Sequence, residues 1–140
     1  MTGKNKIRQD RNVAHLWVDK RILKFFRMVF TKEDYGKINH TYLAVCEIES
    51  DMRENGVNSV HDLVETCAAY TDMDNQEVRE YLYRLEDLGL IAYDTIMDKA
   101  TEEPIGDSLI LHEWNEESLP EDIYGVEEGF RSKEVYKFYK

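Results

Sequence analysis

DNQEVREYLYRLEDLGLI, residues 74–91, reads as a helix that runs straight into a strand. Val78, Tyr81, Leu82, Leu85 and Leu88 recur at helical spacing and form one apolar stripe, while Gln76, Arg79, Glu80, Tyr83 and Asp87 fall on the opposite face. Asp74 stands three residues before Glu77, the spacing at which a cap side chain accepts an orphan amide of the first turn and a glutamate reaches back. Gly89 suits the left-handed conformation that ends a helix, and the β-prone LIAY follows at once.

Two helices precede this stretch. HTYLAVCEIESDMREN, opened by Asn39 or Thr41 and stopped at Asn55-Gly56, places Tyr42, Val45, Cys46 and Met52 on one side, broadened by Leu43 and Ile48. Ser59 and Asp62 form an S-x-x-D capping arrangement over a short second helix in which Val60, Leu63, Val64 and Cys67 face inward. TDMD makes a polar turn into the helix after Asp74. Beyond Gly89, LIAYDTIMD and LILHEW read as strands, joined by a long tip, KATEEPIGDS, that contains Pro104 and Gly106.

Helix, short helix, tight turn, capped helix closing in L-x-x-L-G-L-I, and hairpin resemble, over residues 39–114, the winged helix-turn-helix domains of phage and plasmid replication initiators and small bacterial transcription regulators. The resemblance rests on order and spacing. It implies a mainly α fold with a β-hairpin wing (α+β), with the helix after Asp74 as the one that enters the major groove.

Ahead of this core, residues 1–12 read as a flexible basic arm with Lys4, Lys6, Arg8 and Arg11. Residues 13–38 read as an amphipathic segment and a loop. HLWV is a candidate short strand, and Asp19 caps a helix with Ile22, Phe25, Phe26, Val29 and Phe30 on its apolar stripe and Lys20, Arg21, Lys24 and Arg27 around the rest. TKEDYGKI, residues 31–38, is expected to be a loop. Residues 115–140 form an acidic C-terminal extension that ends basic.

The chain has 140 residues and 42% hydrophobic content, enough for one core. No apolar run is long enough to span a bilayer, the start is too polar for a signal peptide, and Cys46 and Cys67 fall in predicted helices, so a cytoplasmic protein with reduced thiols is expected. Net charge is −11, unevenly spread: residues 1–37 carry ten Lys or Arg against four acids, and residues 38–140 eight against 25. Such asymmetry points to contact with nucleic acid or with a charged protein.

Enzymatic chemistry is not expected. There is no G-x-x-x-x-G-K-S/T or G-x-G-x-x-G loop, no C-x-x-C pair and no H-E-x-x-H. His15, His40, His61 and His112 are scattered one per element, so neither a metal nor a cofactor is expected.

Two functional readings follow. In the first, the resemblance implies a small DNA-binding protein acting in transcription regulation or replication control. Arg79 would contact guanine, Asn75 or Gln76 adenine, and Tyr83 a phosphate, while Lys20, Lys24 and Arg27, with the Lys4 to Arg11 arm, and Lys99 neutralise phosphates on double-stranded DNA. A homodimer on a palindromic site would fit, with Tyr136, Phe138 and Tyr139 as candidates for its contact. In the second, Glu102, Glu103 and Asp107 near the hairpin tip, within a run of fourteen acids and one base between Glu86 and Glu128, make the domain an acidic module for a basic protein partner.

Overall fold

A computed structural model describes residues 16–119, from Leu16 to Leu119. The basic arm, His15 and the aromatic residues Tyr136, Phe138 and Tyr139 lie outside the described residues. Within them the chain is α+β, four helices followed by a two-stranded antiparallel hairpin.

Helix α1, Lys20–Val29, starts where Asp19 accepts the backbone amide of Arg21 and grips the Arg21 guanidinium at 2.7 Å. Ile22, Phe25, Phe26 and Val29 are buried, and Phe25 meets Trp114 edge-on with ring centroids 5.4 Å apart. Residues 16–19 adopt no regular secondary structure, so the strand expected at HLWV does not form over its described part.

Helix α2, Lys32–Glu54, corrects the expected loop at residues 31–38. Thr31 caps it, accepting the Asp34 amide, and Glu33 and Asp34 complement the positive end of the helix dipole. Gly36 is tolerated inside because Ile38, fully buried just beyond it, ties this turn to the core. The boundary expected at residues 38/39 therefore falls inside one helix. At the far end Gly56, at φ +64°, follows the Asn55 cap.

Helix α3, Leu63–Thr71, is capped by Asp62, which accepts the Glu65 amide, and not by Ser59. Ser59 stands four residues ahead of the helix. Its neighbour Val60 forms an isolated antiparallel bridge to Asp107, with N–H···O distances of 2.9 and 2.7 Å. Helix α4, Asn75–Asp87, begins as expected on Asp74, whose carboxylate accepts the Glu77 amide at 2.8 Å. It ends in a Schellman arrangement: Gly89, at φ +75°, donates to the Glu86 carbonyl and Leu90 to that of Leu85.

Strands β1, Ile91–Met97, and β2, Pro104–Leu111, pair from Ile91↔Leu111 to Met97↔Pro104. Pro104 and Gly106, expected in the tip, belong to β2, so the tip shortens to residues 98–103. Between Ile96 and Met97 the register shifts, leaving Ile105 as a bulge opposite no residue. With Val60, β2 is the middle of three extended segments and β1 an edge. A Cβ on Gly106 would stand 3.0 Å from the Val60 carbonyl oxygen, so glycine is what lets this close approach happen.

Helix α2 is the hub, packing on α1, α3, α4 and β2. Val45, Ile38, Cys67, Val78, Leu82 and Leu85 are at or near zero exposure, and Leu90, Ile91, Leu109 and Leu119 close the core at the base of the hairpin. Both cysteines are free and buried, and desolvation pushes the thiol of Cys46 up to about 11 and that of Cys67 up to about 12. Among the described residues no helix is long and apolar enough to cross a membrane.

Candidate interaction face of α4 and the hairpin

Burying Val78, Tyr81, Leu82 and Leu85 turns the other half of α4 outward. Asn75, Gln76, Arg79, Tyr83, Glu86 and Asp87 are exposed there, Tyr83 at 50%. The remaining basic groups beside α4 are already engaged. Lys37 of α2 pairs with Glu77 at 2.7 Å, and Arg84 stands 3.2 Å from both Asp34 and Glu80, with its guanidinium 5.0 Å from the Tyr81 ring centroid. Tyr81 donates to the same Asp34 carboxylate at 2.8 Å, and burial together with that carboxylate pushes its phenol upward. This network clamps the first turns of α2 onto α4. Arg79, in contrast, forms no ion pair among the described residues.

Between α3, α4 and the hairpin lies a groove of about 420 Å³. Arg79 enters it from α4, His61 and Val64 from the α3 side, Tyr93 from β1, and Ile105 and Asp107 from β2. On the other side of α4, Gln76 borders a second depression of about 340 Å³ with Asp74, Glu77, Glu80 and Tyr81.

The hairpin tip carries Lys99, Glu102 and Glu103, all exposed. Glu102 is held at φ +58°, with its amide donating to the Asp98 carbonyl at 2.8 Å. Asp107 does not join them, contrary to the expectation of a residue near the tip. It is half-buried at the Val60 bridge, and its Oδ2 accepts the Leu63 amide at 2.7 Å, so it caps α3 alongside Asp62.

The structure thus gathers Asn75, Gln76, Arg79 and Tyr83 on one outward helix face, and Glu102, Glu103 and Lys99 on one tip. Lys20, Lys24 and Arg27 stand elsewhere. Their helix leans on α2, with Phe25 against Trp114 at the base of the hairpin, a strand length of about 20 Å from the tip. Sequence reasoning missed Ile105, His61, Tyr93 and Val64 as groove residues. Only the apolar Ile105 beside a proline in a polar stretch hinted at any of them. Among the described residues no group of three or more His, Cys, Asp or Glu is placed to hold a metal ion.

Comparison with protein-family models, with curated proteins and with solved structures gives no match.

Proposed function

We propose that this chain is a winged helix-turn-helix module that binds a basic protein surface through the face made by α4 and the hairpin. The fold part rests on the order α2, extended Val60, α3, turn, α4, β1, β2, with Val60 bridged to β2. The functional part rests on one observation. Arg79 and Lys99 are outnumbered on that face by Glu86, Asp87, Glu102 and Glu103, none of which has a cationic partner among the described residues. A phosphate backbone brought to this face meets repulsion, whereas lysines and arginines meet complementary charge.

The second reading, a DNA-binding regulator of transcription or replication in a phage, plasmid or bacterium, is favoured by a specific feature. Arg79 is exposed and unpaired, one turn from Asn75 and Gln76 at the start of α4, where side chains of the right type for base edges are needed. Fluorescence anisotropy at low and moderate salt separates the two, with a labelled random duplex and a labelled lysine-rich peptide as probes. The expected result is peptide binding that disappears in the Glu102→Lys/Glu103→Lys variant and is unaffected by Arg79→Ala. Duplex binding with a steep salt dependence, lost on Arg79→Ala, would replace the first reading by the second.

A further inference from the structure

The hairpin tip is acidic, but its flank is not. The bulge in β2 throws Ile105 outward to 60% exposure, and Met97, 49% exposed, pairs with Pro104 beside it. A bulge re-aims a side chain without breaking the strand, and here the re-aimed side chain forms the lip of the groove between α3, α4 and the hairpin. Behind the lip the walls are Tyr93, Val64 and Leu63. An apolar lip and wall on an otherwise charged face is the arrangement in which a partner's anchor side chain is desolvated while surrounding charges steer it.

The charges around this groove are mostly negative. Asp62 and Asp107 line it, each with one carboxylate oxygen engaged by an α3 amide, Asp62 through Oδ1 and Asp107 through Oδ2. Glu102 and Glu103 stand just beyond Ile105 along the hairpin, and Arg79 is the groove's basic side chain. The volume of about 420 Å³ exceeds what one side chain fills and suits an anchor together with its adjoining backbone.

From this we infer that the groove between α3, α4 and the hairpin seats one apolar or aromatic anchor residue of a lysine- or arginine-flanked segment of a partner protein, with Ile105 as its lip. The inference rests on the basic-partner reading given above and adds to it where the partner's apolar residue goes. Acidic rim residues set the rate and the charge preference; the groove sets the residue that must stand between the basic ones.

The test is selection of short random peptides displayed on phage against the full chain, against Ile105→Ser, and against the Glu102→Lys/Glu103→Lys variant. Ile105 is exposed, so its replacement leaves the core untouched. Peptides selected by the unaltered chain are expected to combine flanking Lys or Arg with one fixed apolar or aromatic position. Synthetic versions should bind about tenfold or more tightly than twins carrying glycine there. Ile105→Ser should erase that difference and keep the basic preference, whereas the charge-reversed chain should lose the basic preference. Basic peptides without an apolar position, or an apolar preference that survives Ile105→Ser, overturn the groove inference while leaving the basic-partner reading in place. Absence of any basic preference overturns both.

Discussion

Asp107→Ala should destabilise the protein by about 2 kcal/mol, more than an ordinary cap replacement. The backbone of Asp107 keeps both bonds to Val60 after the substitution, so the loss isolates the carboxylate. That carboxylate accepts the Leu63 amide at 2.7 Å in a half-buried hydrogen bond, and Leu63 itself is 1% exposed. A cap replaced by alanine costs about 1 kcal/mol, and a buried donor left unsatisfied raises the cost to about 1–3 kcal/mol. Removing a negative charge from the start of α3 adds a few tenths. Asp107→Asn keeps an acceptor oxygen and should lose less than about 1 kcal/mol. Urea unfolding followed by circular dichroism reads both, with the midpoint shifted and the slope unchanged. Equal losses for Ala and Asn, or a loss below about 0.5 kcal/mol for Ala, would refute the assignment of the Asp107 carboxylate as a cap of α3. The consequence for function is direct. Charge reversal at Asp107 damages α3 and tests nothing about partners, whereas Glu102 and Glu103 are exposed and test them cleanly.

Four further outcomes are expected. Gly106→Ala should cost about 1–3 kcal/mol in thermal unfolding, because the new Cβ meets the Val60 backbone carbonyl and one of the two must move. Glu102→Gly should stabilise by about 1 kcal/mol, because glycine adopts φ +58° without the Cβ penalty; no gain in the urea midpoint would count against the tip geometry. The Asp19 carboxyl should titrate below its ordinary 3.8 in an NMR pH series, because the Arg21 side chain hydrogen-bonds it; the stability it contributes is complete above that value and disappears as pH falls through the lowered one, an effect absent in Asp19→Asn. Cys46 and Cys67 should resist a thiol reagent until the chain unfolds. Their contribution to stability is complete below the free-thiol value of 9.0 and lost as pH climbs through about 11 for Cys46 and about 12 for Cys67, which pH-dependent urea midpoints would reveal.

What could be read from the sequence was what is decided locally. The start of α4 needs only Asp74 three residues before Glu77, and its end needs only Gly89, so both were legible. The first turns of α2 were not. TKEDYGKI contains a glycine and polar residues, and what ties it to the helix bundle lies 40 residues away for Lys37, at Glu77, and 47 or more away for Asp34, at Tyr81 and Arg84. The tip was misread for a related reason. Pro104 and Gly106 look like turn residues, yet proline is tolerated where a strand begins, and the glycine answers the approach of Val60, 46 residues earlier. The outward face of α4 followed from helical geometry, so Asn75, Gln76, Arg79 and Tyr83 share a surface as expected. The groove required knowing that β2 carries a bulge, which no local pattern announces.

The placement of charge also weighs on the two functional readings. The described residues carry ten Lys and Arg against 23 Asp and Glu. On the α4 and hairpin face Arg79 and Lys99 supply at most two phosphate contacts, so counterion release there gives a log-log salt slope of about −2, far below what a tightly bound duplex needs. Carboxylates within a Debye length of about 8 Å reduce even that attraction. Among the described residues, the other cations expected to hold a duplex are Lys20, Lys24 and Arg27 of α1, the helix whose Phe25 meets Trp114 at the base of the hairpin. Under the proposed reading a basic protein segment would have no such requirement: it would gain from Glu86, Asp87, Glu102 and Glu103 where they stand and bury an apolar residue behind Ile105.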